Sequence, residues 1–186
     1  MGVVLITVAG LGVAMAVIYN SLARLRLLAT NAWADIDVQL KRRHDLIPRL
    51  VATVEGHSGY EKRTLQAVVE ARSRAMAAGN PRVAGPAESE LGGAVRGIFA
   101  VAEAYPDLTA QKSFLELQRT LTDIEDQIQN ARRYYNAVIR DLNTRIAQFP
   151  ANLVARSTGF SPGEFFGVGD DDERAIPQIE LGGPGS

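Results

Sequence analysis

The side chains able to do chemistry are few, and their spacing does not favour a reaction. His44 and His57 are the only histidines and stand 13 residues apart with a helix end expected between them, so they form no i,i+4 metal pair. His44 sits in KRRHD, where a surface or capping role outweighs catalysis. Neither histidine has a Glu three positions before it, which argues against a di-metal carboxylate bundle. Asp35 and Asp37 are two apart and point different ways on a helix. Asp123 and Asp126 flank Glu125 off the apolar seam of their helix, and Arg72 is placed to pair with Glu61 or Glu103. Asp170–Glu173 reads as a solvated acidic run, with a calcium loop as the weaker alternative. HExxH and P-loop patterns are absent, and Gly10-Leu11-Gly12 lies in an apolar run with no strand before it. The expectation is therefore no catalytic residue, no metal ligand and no cofactor site.

One cluster stands out as a candidate interaction patch: Lys41, Arg42, Arg43 and Asp45, next to Pro48. It is suited to an anionic peptide or protein partner. The competing reading is a solvated helix face, or pairing with acidic residues of the last long helix. At 1.5 Å per residue, Arg43 stands about 30 Å along the helix from Arg24, too far for headgroup contact by an upright rod.

These residues must be carried by helices. The longest is predicted late in the chain. Phe114, Leu117, Leu121, Ile124, Ile128, Ala131, Tyr135, Val138 and Leu142 alternate three and four apart, the seam of a long bundle or coiled-coil helix that Pro150 ends. A second long helix carries Leu22, Leu25, Ala29, Trp33, Ile36, Leu40, Ile47, Leu50, Val51 and Val54. Pro48 should kink it near Arg43–Asp45 without ending it, and Gly56 and Gly59 stop it. Between them lie two shorter helices. The first runs from Glu61 to Ala78 on Leu65, Val68, Val69, Ala75 and Met76, with Gly79-Asn80 as an αL cap. Residues 82–88 read as a loose stretch, and the second helix runs through Leu91, Val95, Ile98 and Ala102 to Pro106.

Before all of this come eighteen residues with no charge, MGVVLITVAGLGVAMAVI, and the uncharged run continues to Ala23. A bilayer-spanning helix needs roughly 20 apolar residues. Arg24 and Arg26 follow and no Lys or Arg precedes, which by the positive-inside rule puts the short N-terminus outside and the body in the cytoplasm, at a bacterial inner membrane. Ala14-Met15-Ala16 leaves a cleaved signal peptide, and hence a secreted helical domain, as the alternative. The absence of Cys fits a reducing compartment and excludes thiol catalysis, thiolate metal sites and a lipidated cysteine. Twenty basic residues balance 21 acidic ones, so nothing calls for nucleic acid, and no small-molecule substrate is expected.

The expected fold is all-α: an N-terminal transmembrane helix, then a long antiparallel bundle with four helices distally and a two-helix stalk near the membrane. The division is residues 1–22 as anchor, 23–150 as bundle, 151–168 as a tail packing on the stalk through Leu153, Val154, Phe160, Phe165 and Phe166, and 169–186 as an acidic, largely disordered C-terminus. A stalk of two helices leaves apolar flanks. It calls for the tail, a protein partner or self-association.

The stretch YNSLARLRLLATNAWADIDVQLKRRHDLIPRLVATVEG resembles the opening of the LemA family. The resemblance recurs in VAEAYPDL, in the segment from Phe114 to Pro150, and in NLVARSTGF followed by PGEFF. Matched positions include Trp33, Asp35, Gln39, Arg42, Arg43, Asp45, Pro48, Glu103, Tyr105, Pro106 and the run Ala131-Arg132-Arg133-Tyr134-Tyr135-Asn136. Ser157-Thr158 stands where an apolar pair is common, and Gln111 where Asn is common. The resemblance implies one membrane span followed by an antiparallel helical domain. It implies no reaction. Some relatives are linked to membrane stress or to specialised bacterial membranes, which by analogy suggests a scaffold or adaptor. The alternative class is a membrane-associated enzyme or hydrolase subunit whose site a partner completes.

Overall fold

A computed structural model describes residues 1–56 and 62–167. His57, Glu61 and the acidic run Asp170–Glu173, with the whole 169–186 segment, lie outside the described residues. The helices are α1 (Gly2–Glu55), α2 (Lys62–Ala77), α3 (Pro81–Ala102), the single turn α4 (Pro106–Thr109), α5 (Lys112–Ala147) and α6 (Ala151–Thr158). No strand occurs among the described residues, so the all-α reading holds.

α1 and α5 form an antiparallel pair. Leu22 shares a cluster with Leu142, Ile36 with Ile128 and Tyr135, and Ile47 with Phe114 and Leu121. As residue numbers climb on α1, they fall on α5. Seven of the nine seam residues of α5 are buried, and the other two, Leu117 and Ala131, are half-buried. The distal cluster adds α2 and α3 through Leu65, Val68, Leu91 and Ile98. Each fully buried Leu, Ile or Val side chain contributes about 1.5–3 kcal/mol. Pro48 is accommodated inside α1, which runs unbroken to Glu55.

Three local expectations are corrected. Residues 82–88 are not loose: α3 begins at Pro81 and continues through Pro86. Asn80 is not in the αL conformation; its φ of −145° is extended, and it is the N-cap of α3, with its side chain accepting from the Val83 N–H at 3.0 Å. Pro81 suits the first helical position, where its missing N–H has no intrahelical partner to lose. On α2 the inward face is Leu65, Val68, Ala71 and Ala75, whereas Val69 and Met76 are about half exposed at 48% and 56%. Glycine and proline within residues 79–86 signalled a break, but the cap and the packing of one α3 face outweigh that local cost.

Among the described residues, none covers the N-terminal segment of α1. Val3, Leu5, Ile6 and Leu11 are 65–76% exposed, and the first buried residue is Ile18. α1 contains a stretch long and apolar enough to cross a membrane. Just beyond it α6 lies against the rod pair, where Ala151, Val154 and Ala155 join Ile18, Leu22 and Leu142.

Candidate functional site

Pro48 has no N–H, so the His44 carbonyl lacks its helical donor. The structure supplies one from outside: the Arg72 Nε of α2 donates to the His44 oxygen at 2.8 Å. That bond draws α2 against mid-α1 at the height of the charged cluster. The cluster itself is split by helical geometry. Lys41 is exposed and pairs with Asp37 at 3.1 Å, Arg42 is exposed beside Gln39, and Asp45 is exposed. Arg43 turns the other way and is buried. The expectation of one surface patch is therefore corrected: three of its members face outward, and Arg43 belongs to the interior.

His44 is corrected in the same way. It is buried, not a surface or capping residue, and its Nε2 lies 2.7 Å from the Glu88 Oε1 of α3. Arg43 Nη1 stands 3.6 Å from Glu88 Oε2 and 3.2 Å from Glu125 Oε2 on α5. Glu88 is only 4% exposed. One buried arginine thus ties α1 to both α3 and α5, the pairing with the last long helix that sequence offered as a competing reading. Gly92 makes it possible. A Cβ there would sit 2.6 Å from Arg43 Nη2, so the guanidinium passes over bare backbone. Arg43, Glu88 and Glu125 line a cleft of about 230 Å³ that also takes in Arg96, Gln129 and Arg132. Among the described residues no group of His, Asp or Glu is arranged to hold a metal ion. The carboxylates of this cluster are turned onto Arg43 and His44.

The second arrangement on the rod pair is a strap, residues 159–167, which follows α6 and is neither helix nor strand. Asn143 Nδ2 donates to the Gly163 carbonyl at 3.0 Å, and Asn143 Oδ1 accepts from the Gly163 N–H at 2.8 Å. Asn136 repeats this with Phe166, at 2.9 and 3.0 Å. The spacing follows from geometry. Seven helical residues rise about 10.5 Å, and three extended residues span about 10 Å. Two asparagines one heptad apart therefore meet two strap residues three apart. The strap's backbone is recognised and its side chains add anchors: Phe166 is buried against Trp33, with ring centres 5.5 Å apart, and Phe160 meets Tyr19 at 5.6 Å. Phe165 and Leu153, expected with them, are 38% and 56% exposed. Gly85 lets the strap end approach α3, because a Cβ there would overlap the Gly167 carbonyl.

Tyr135 closes the strap by donating its hydroxyl to the Glu164 carbonyl at 2.8 Å. Burial pushes its phenol above the usual value, with the Glu164 charge adding to it. The folded state thus favours the neutral form. This contribution is fully present below about pH 10, the unfolded value, and is lost as pH rises through the higher folded one. Alkaline titration should loosen the strap, and Tyr135→Phe should abolish that step at a cost of about 1 kcal/mol. Amide exchange at the strap, followed against pH, checks both; an alkaline step that survives in Tyr135→Phe would assign it elsewhere.

Sequence comparison covers this whole region. The profile of the LemA family matches residues 32–181, which take in the buried cluster, the cleft and the strap. The chain belongs to the LemA family. The apolar segment of α1 precedes the matched range. Among LemA-family relatives, the magnetosome protein MamQ of Magnetospirillum gryphiswaldense is 23% identical over 174 residues, covering 80% of this chain and 64% of MamQ. Magnetosome protein MamQ 1 of Paramagnetospirillum magneticum is 24% identical, covering 72% of this chain and 58% of that protein. Protein LemA of Metamycoplasma hominis is 28% identical, covering 74% and 63%. The chain therefore spans about three fifths of the length of these relatives.

Sequence reasoning missed Glu88, because it lay in a stretch read as loose. It also missed the pair Asn136 and Asn143, whose signal was present: two amides seven apart on the flank of an apolar seam, above a tail with aromatic anchors.

Proposed function

We propose that this LemA-family chain is a membrane-anchored helical scaffold or adaptor without catalytic activity of its own. The observation that carries the reading is the single helix α1. Its first sixteen residues are bare and uncharged, and the same helix, without a break, then supplies the inner face of the bundle. Anchor and body form one rigid piece, a construction that holds a surface at a fixed distance from a membrane. Arg24 and Arg26 support placing the body in the cytoplasm and the N-terminus across the inner membrane. Protease added to sealed cells should then leave the body intact. A soluble mature form beginning near Asn20 would end the anchor reading in favour of secretion.

The partner surface under this reading is the exposed part of the charged patch, Lys41, Arg42 and Asp45, together with the flanks of the rod pair. Lys41→Glu with Arg42→Glu should change stability by under about 0.5 kcal/mol, as exposed substitutions do. It should also reduce the proteins cross-linked to the chain in native membranes, read by mass spectrometry. An unchanged cross-linked set would remove the patch from the interface. Tight stoichiometric metal binding, lost on mutating one carboxylate, would favour an enzyme instead.

A further inference from the structure

The charges of this chain are sorted by height. Residues 1–34 and 142–163 contain no Asp or Glu, although the chain has 21 acidic residues. The same two stretches contain Arg24, Arg26, Arg145 and Arg156. They are brought together by the fold: Ile18, Leu22 and Leu25 on α1, Leu142 and Ile146 on α5, and Val154 on α6 form the basal cluster. These two stretches therefore give the base of the bundle four cations and no anion of their own, set where the apolar stretch of α1 ends. Among the described residues none of the four arginines forms an ion pair. Arg24, Arg26 and Arg156 are exposed.

The same level carries large side chains that are half or more exposed, or close to it, among the described residues. Phe149 is 80% exposed, Leu153 56% and Tyr19 45%. Leu153 stands on the side of α6 away from its buried face of Ala151, Val154 and Ala155. A span of roughly 20 residues beginning at Gly2 ends near Leu22, beside α6. Aromatic and basic side chains favour that boundary, the first for their amphipathic rings and the second for anionic phosphates.

We propose that the base of the bundle is a lipid-binding face: α6 and the turn at Phe149 lie in the headgroup layer, and Arg24, Arg26, Arg145 and Arg156 engage the phosphates of anionic phospholipids. Continuity with the apolar stretch selects a lipid surface over a protein partner, because any surface this close to the end of the span already faces headgroups. Lipid charge would then set how deeply the base is drawn in. This inference rests on the anchored reading above.

The chain has no cysteine, so single cysteines report cleanly. Val8→Cys, Leu153→Cys and Val69→Cys, all at exposed positions, are spin-labelled in the full chain and reconstituted into vesicles of phosphatidylcholine with or without phosphatidylglycerol. Accessibility to oxygen and to a water-soluble nickel chelate gives depth. Val8 should be deep in both lipids and Val69 in water. Leu153 should lie at the headgroup level with phosphatidylglycerol, several-fold less accessible to nickel than Val69. It should become shallower in pure phosphatidylcholine, or when Arg24 and Arg156 are changed to Gln. Leu153 as accessible as Val69 in anionic vesicles overturns the lipid face and leaves the anchor standing. A depth independent of lipid charge overturns the role of the arginines. A water-exposed Val8 would overturn the anchor itself.

Discussion

Glu88→Ala should lower the stability of the bundle by about 3–5 kcal/mol, the usual cost of removing one partner from a buried ion pair. Glu88 accepts from His44 at 2.7 Å and faces Arg43 at 3.6 Å, in a site from which water is largely excluded. Its loss leaves the buried guanidinium with Glu125 as its one ion-pair partner among the described residues and takes away the acceptor of the buried His44 nitrogen. Thermal unfolding of the detergent-solubilised chain should fall by of the order of 10 °C, since a chain of this size loses about 2–4 °C per kcal/mol. Glu88→Gln should cost less, because the amide oxygen can still accept from His44. The neighbouring Arg42→Glu, on the exposed side of the same helical turn, should be nearly silent. A loss below about 1 kcal/mol for Glu88→Ala would mean that the cluster is already well solvated through its cleft.

Removing both strap amides, Asn136→Ala with Asn143→Ala, should release residues 159–167 while the rods stay folded. Four hydrogen bonds to the strap backbone are lost together. At roughly 0.5–1.5 kcal/mol net for each, the expected loss is about 2–6 kcal/mol. The chain has one tryptophan, Trp33, and it packs on Phe166 and Tyr135. Departure of Phe166 should therefore shift its fluorescence to the red and quicken amide exchange at Gly163 and Phe166. Helical circular dichroism should change little. An unshifted emission with both amides still protected would show that the aromatic anchors hold the strap unaided.

Much of the architecture was legible because α1 and α5 are long and their apolar residues keep one period over many turns. Leu22 through Val54 and Phe114 through Leu142 are positions that hydrophobic burial alone decides. The start of α3 was not legible, for a physical reason. Gly85, Glu88 and Gly92 lie three and four residues apart, on one helical face. On paper two glycines and a proline nearby weaken a helix. In the fold the glycines admit the strap backbone and the Arg43 guanidinium, so the residues that hid the helix are those that let it pack. The charged cluster failed differently. Lys41, Arg42 and Arg43 are adjacent in sequence, but consecutive helical residues point about 100° apart, and only a knowledge of the neighbouring helices tells which one turns inward. Likewise, His44 looked like a surface residue because its partner lies 44 positions away.

Under the anchored reading proposed above, an unbroken α1 also places no loop between bilayer and bundle. From Ile18 to Glu55 the helix rises about 55 Å. A membrane helix commonly tilts about 20° to fit its apolar length to the local bilayer, and over that lever arm such a tilt moves the far end sideways by roughly 20 Å. Membrane thickness would thus be converted into the lateral reach of whatever the distal helices carry. Thin and thick bilayers would present the same protein leaning at different angles, with the ring of cations at its foot acting as the fulcrum.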